Sequence, residues 1–173
     1  ILLGVEANTM RVAPYLDVAP VQRPQFDILL AGYHYGITHA GMAANYLYRH
    51  TGLFHSENSS LLVKNTAMIL DCLYANEEAG NHIDILTHPG DKGPFDIEDI
   101  VKACADTGTL VEINDKHRHL TVEEIRIAAK YDVQFVIGSD AHVPEKVGSF
   151  EGPLARALEA GLDPARIVNL ERV

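Results

Sequence analysis

The chain of 173 residues is 47% apolar, 22% charged and 7% aromatic, which suits one domain able to bury enough surface to offset the entropy lost on folding. No apolar run approaches the ~18 to 20 residues that cross a bilayer, and the opening Ile1-Leu2-Leu3-Gly4 is too short for a signal-peptide core, so a cytoplasmic protein with no membrane partner is expected. With 14 Lys+Arg against 24 Asp+Glu, the formal charge of −10 repels phosphate backbones and disfavours nucleic acid, while a phosphorylated small molecule stays accessible where metal ions reverse the local field.

Short β-rich apolar runs alternate with helix-periodic ones, each switch marked by Gly, Pro, Asp or Ser. Strands are predicted over residues 2–6, 27–33, 83–87, 109–114, 134–138 and, more weakly, 167–170. Between the second and third strands, residues 36–56 carry Gly, Tyr and the histidines His39, His50 and His55 with no clear period, the pattern of a long functional loop or lid. A helix follows over residues 60–76, with Leu62, Ile69, Leu70 and Leu73 on one face. Asp96 opens the next helix, whose inward stripe is Ile97, Ile100, Val101 and Cys104, and Gly108 ends it. Thr121 and Glu124 have the spacing of a capping box, and Pro153 and Gly161 bracket a last helix. Cys72 and Cys104 both fall in helices outside any CxxC or zinc-like spacing, so reduced, buried thiols are expected. Strands alternating with helices argue for an α/β fold with a parallel sheet or barrel.

The chemistry concentrates after the strands. Glu6 closes the first strand, His34 follows the second, His88 follows the third in Thr87-His88-Pro89-Gly90, and Asp140 and His142 follow a later one in Gly138-Ser139-Asp140-Ala141-His142. In a parallel barrel all those ends open on one face, where such folds place their active sites. Any one of these residues has a bland reading as a turn former, a cap or an ion-pair partner, but as a set they fit divalent cations, with neutral nitrogen from His and charge from carboxylates. Asn114 in Glu112-Ile113-Asn114 would face the same mouth and bind substrate, or be a strand-end polar group. Lys116-His117-Arg118-His119 is the one dense basic cluster; Lys116 and Arg118 are candidates to hold phosphate, against the reading of a solvated loop.

The segments Gly4-Val5-Glu6-Ala7-Asn8, Ala31-Gly32-Tyr33-His34, Ile85-Leu86-Thr87-His88-Pro89-Gly90, Val111-Glu112-Ile113-Asn114 and Ile137-Gly138-Ser139-Asp140-Ala141-His142 resemble, in that order and spacing, the PHP family (polymerase and histidinol phosphatase), especially its stand-alone phosphatases. The resemblance covers nearly the whole chain. It implies a distorted (β/α)7 TIM-like barrel holding up to three divalent ions, zinc or manganese with iron also accepted by such ligands. Glu6 would bridge two ions, with His34 and His88 on one and Asp140 on the other, and His142 would serve the third. The implied activity is hydrolysis of a phosphate monoester of a small molecule through a metal-activated hydroxide, with Glu6, His88, Asp140 and His142 as the catalytic set.

Family members also carry a strand ending in His-x-His upstream of the matching glutamate, and none precedes Glu6, so the expectation is the C-terminal two-thirds of a barrel lacking its N-terminal segment. An incomplete barrel would expose apolar strand edges, which self-association into a homo-oligomer would cover. Two rival functions stand beside the phosphatase: a 3′-5′ exonuclease of the kind attached to bacterial DNA polymerases, and a non-catalytic structural module with a degenerate metal site.

Overall fold

The computed structural model describes residues 1–34, 45–46 and 60–170. Among these residues, five strands, β1 (Gly4–Asn8), β2 (Ile28–Gly32), β3 (Ile85–Thr87), β4 (Leu110–Asn114) and β5 (Phe135–Gly138), form one sheet in the order β1-β2-β3-β4-β5. Every pairing is parallel, with Glu6 opposite Leu30, Leu30 opposite Ile85, Ile85 opposite Leu110 and Val111 opposite Phe135. Parallel neighbours in chain order require a crossover at each step, so all C-terminal strand ends fall on one edge. That edge carries the polar donors Glu6, His34, His88 and Asp140.

Three helices lie in the crossovers, α1 (Ser60–Glu78), α2 (Ile97–Thr107) and α3 (Val122–Ala128), and α4 (Glu151–Ala160) follows β5. Helix α1 buries Ile69, Cys72 and Leu73, and α2 buries Ile100, Val101 and Cys104, in one core with Leu29, Ala31, Leu86, Val111 and Ile113 of the sheet. The capping signals operate as the sequence suggests: the Asp96 carboxylate accepts from the Asp99 N–H at 3.2 Å, and Thr121 and Glu124 satisfy each other's backbone amides. Both cysteines are buried free thiols, and burial pushes Cys72 up to about 12, which leaves it inert.

The pleat of β4 assigns its two faces different work. Val111 and Ile113 point into the apolar core, while Glu112 and Asn114, equally buried, point to the opposite face and pair with each other, Asn114 Nδ2 donating to Glu112 Oε2 at 2.9 Å.

Two strand expectations shift. Strand β1 extends past Glu6 to Asn8, because Asn8 still pairs with Gly32, while Leu2 and Leu3 stay exposed. The weak sixth strand reduces to a single parallel bridge, Phe135 with Ile167. Its place beside β5 is taken by a side chain, since Asn169 Oδ1 accepts from the Ile137 N–H at 3.0 Å and its Nδ2 donates to the Ile137 carbonyl at 2.8 Å. The loop expected over residues 36–56 lies outside the described residues apart from Asn45 and Tyr46. A sequentially ordered parallel sheet with helical crossovers is consistent with a TIM-like fold. Among the described residues no helix is long and apolar enough to cross a membrane.

Candidate metal and active site

Two groups of donors meet at the C-terminal edge of the sheet. In the first, Glu6 Oε1 lies 3.2 Å from His88 Nε2 and 3.6 Å from His34 Nε2. The pleat of β1 places Asn8 on the same face as Glu6, and Asn8 Oδ1 lies 2.8 Å from His34 Nδ1. A carbonyl oxygen there holds the ring proton on Nδ1 and leaves the Nε2 lone pair facing Glu6. Thr87 Oγ1 donates to Glu6 Oε1 at 2.9 Å. The His88 hydrogen bond, opposed by burial, holds the Glu6 carboxyl down at about 2, and burial, helped by the neighbouring His88 ring, pushes His34 below the usual imidazole range.

The second group is deeper. His117 Nε2 lies 3.2 Å from Asp140 Oδ2, and the His117 and His88 rings meet edge to face with centroids 4.8 Å apart. In each group, Glu6/His34/His88 and His88/His117/Asp140, one donor atom from each residue lies within 4.8 Å of the others, and His88 belongs to both. Neutral imidazole nitrogen and carboxylate oxygen converging at this spacing match the donor chemistry of divalent cations.

The surroundings are shaped around these groups. A Cβ on Gly32 would stand 2.6 Å from Glu6 Oε1, and one on Gly138 would collide with the Glu112 carboxylate, so both strand ends are stripped of side chain where a neighbouring carboxylate passes. Glu112, pushed up by burial, accepts from the His88 N–H at 2.9 Å. Three non-glycine residues among those described have positive φ, and two of them are donors: His88 at 30° and Asp140 at 45°. Such backbone costs on the order of 1–3 kcal/mol per residue and persists where the surroundings over-determine it.

Of the residues singled out from the sequence, Glu6, His34 and His88 are brought together, and Asp140 joins His88 in the second group. His142 stands at the rim with its side chain 66% exposed, its Nδ1 2.9 Å from the Asp140 carbonyl oxygen and its Nε2 2.9 Å from Lys116 Nζ. Lys116 and Arg118 are exposed. Asn114 is fully buried; besides holding Glu112, its Oδ1 accepts from the His117 N–H at 2.7 Å, so it braces the loop after β4. His39, His50 and His55 lie outside the described residues.

Sequence reading missed His117 and Asp91. His117 looked like part of a solvated basic run, yet its side chain is only 9% exposed, and Asp91 Oδ2 lies 3.0 Å from its Nδ1. Position alone held the signal: His117 lies three residues past the end of β4, the location that singled out the other donors.

A family model described as PHP-associated matches residues 123–151. The chain is 28% identical over 159 aligned positions to a probable phosphatase of Shewanella halifaxensis, covering 87% of this chain and 54% of that protein. It is 31% identical over 178 positions to a probable phosphatase of Syntrophotalea carbinolica (98% and 64%), and 29% identical over 180 positions to one of a Thermoanaerobacter species (99% and 64%). The chain thus spans between half and two thirds of the length of these relatives. The matches and the motifs carrying Glu6, His34, His88 and Asp140 agree: the chain is similar to PHP-associated and probable phosphatase sequences.

Proposed function

We propose that the protein carrying this chain is a metal-dependent phosphatase acting on the phosphate monoester of a small molecule, its sheet forming part of a distorted (β/α)7 barrel. The observation that supports this most is the pair of donor groups joined at His88, in a chain whose relatives are named probable phosphatases. Glu6, His34 and His88 would hold one divalent ion, zinc, manganese or iron; Asp140, with His88, would serve a second, and His142 a third. Bound ions supply Lewis acidity, lowering the pKa of water and neutralising charge on phosphoryl oxygens.

The chain's own residues do the rest. The Thr87 hydroxyl and the Asn8 amide fix Glu6 and His34, so the donors need no reorganisation when charge develops. Lys116, by charge, and Arg118, by its planar fork, would bind the substrate phosphate from the rim. With no ion on it, His142 would relay a proton from the Lys116 ammonium, 2.9 Å from its Nε2, to the leaving alcohol. The charge of −10 favours a small substrate over a nucleic acid.

The test is hydrolysis of p-nitrophenyl phosphate by the full-length protein before and after chelation, with Mn²⁺ or Zn²⁺ added back. Loss on chelation and recovery with metal is the expected result. Turnover of a single-stranded oligonucleotide alone would support the exonuclease, and no turnover of either would support the structural module.

A further inference from the structure

We propose that His117 is a metal ligand of this chain and that the buried carboxylate of Asp91 is its positioning residue, an inference that rests on the metal-dependent reading above. Neither residue belongs to the ligand set that the family resemblance implies.

The geometry runs as a line: Asp91 Oδ2 lies 3.0 Å from His117 Nδ1, and His117 Nε2 lies 3.2 Å from Asp140 Oδ2. A neutral imidazole donates through one nitrogen only. The Asp91 charge 3.0 Å from Nδ1 favours the proton on that nitrogen, and the Nε2 lone pair then faces the lone pairs of Asp140 Oδ2. Two such acceptors 3.2 Å apart repel unless a cation lies with them, and the Lys116 ammonium, half-exposed and 3.8 Å from Asp140 Oδ2, offsets this only from the solvent side. A carboxylate behind the distal nitrogen is the arrangement that orients a metal-bound histidine and raises its basicity.

The competing arrangement is an imidazolium held between two carboxylates. Asp91 does not call for it, because Lys92 Nζ, 2.7 Å from the same Oδ2, already supplies a counter-charge. His117 is also held rigidly, as a ligand must be. Its N–H donates to Asn114 Oδ1 at 2.7 Å, and Arg156 of α4 donates to the carbonyl of His117 and to those of Asn114 and Leu120 before and after it in the chain.

Full-length protein stripped by chelator is titrated with Zn²⁺ against a chromophoric competitor, and separately with Co²⁺ while the visible absorption is followed. Wild type should take up at least two ions. His117→Gln should weaken one of them by about 100-fold or more and leave the other near its wild-type affinity, whereas Asp91→Asn should weaken the same ion by roughly 10–100-fold. The Co²⁺ spectrum of that ion should change in His117→Gln, a signature a merely structural role would not produce.

Unchanged affinities and spectrum in His117→Gln, with Asp140→Asn still losing an ion, would overturn the proposal and leave the metal-dependent reading intact; His117 would then be the imidazolium. Failure of wild type to bind any ion would sink both. Far-UV circular dichroism of the metal-free variants checks folding, and if His117→Gln does not fold, Asp91→Asn decides by the same criteria.

Discussion

The two donor groups share a histidine but differ in how far water reaches them. In the outer one, the side chains of Glu6 and His34 are 38% and 31% exposed. In the inner one, His117 and Asp140 are 9% and 16% exposed, and the shared His88 is 4% exposed. The outer group is steadied by a hydroxyl and an amide at the strand ends, Thr87 and Asn8, whereas the inner one is held by Asp91, Asn114 and Arg156 of α4. An open position beside a closed one suits a centre that admits substrate on one side and keeps a fixed charge on the other.

His88→Ala should erase the distinction, because it removes the donor common to both groups: metal content should fall at both positions, and phosphatase activity of the full-length protein by at least about 10³-fold, the scale seen when preorganised charge stabilisation is lost. Retention of one tightly held ion, measured by mass spectrometry of the metal, would show that the groups are independent.

Gly32→Ala and Gly138→Ala should sharpen it. The first drives a methyl against Glu6, His34 and Thr87, and the second against Glu112. Each should lower stability by about 1–3 kcal/mol, as overpacking does, but only Gly32→Ala should directly weaken the ion held by Glu6. Chemical denaturation combined with Zn²⁺ titration separates the two results.

The smallest effect is a pH dependence of the metal-free protein. Glu6 is held at about 2 in the fold against 4.5 as its ordinary value. A depressed carboxyl contributes stability above its unfolded pKa, and this is lost as pH falls toward the folded value. Wild type should therefore exceed Glu6→Gln in denaturation midpoint at pH 7, with the gap closing between about pH 4.5 and 2. Glu112, pushed up by burial, carries the opposite sign, its contribution being present at low pH and lost as pH rises. A gap that widens in acid would contradict the assignment for Glu6.

Much of this was legible from residues alone, for reasons that can be named. Short β-rich apolar runs gave the five strands, the caps at Asp96 and Thr121 are local chemistry, and Glu6, His34, His88 and Asp140 converge because parallel strands share an edge. What stayed hidden depends on partners far along the chain. His117 sits between Lys116 and Arg118, both exposed, and its burial comes with the contacts of Arg156, 39 residues later. Asp91 follows a glycine and reads as a turn residue until Lys92 and His117 are seen around it. The sixth strand failed because Asn169 offers its amide to Ile137 where a backbone would have paired.

The positive φ angles at His88 and Asp140 place function and robustness in opposition. Both positions would relax with glycine, whose backbone adopts such angles freely, and both would then lose their donor. Selection for a hardier fold alone would therefore favour losing both donors, and the proposed metal chemistry requires keeping two residues that the backbone disfavours.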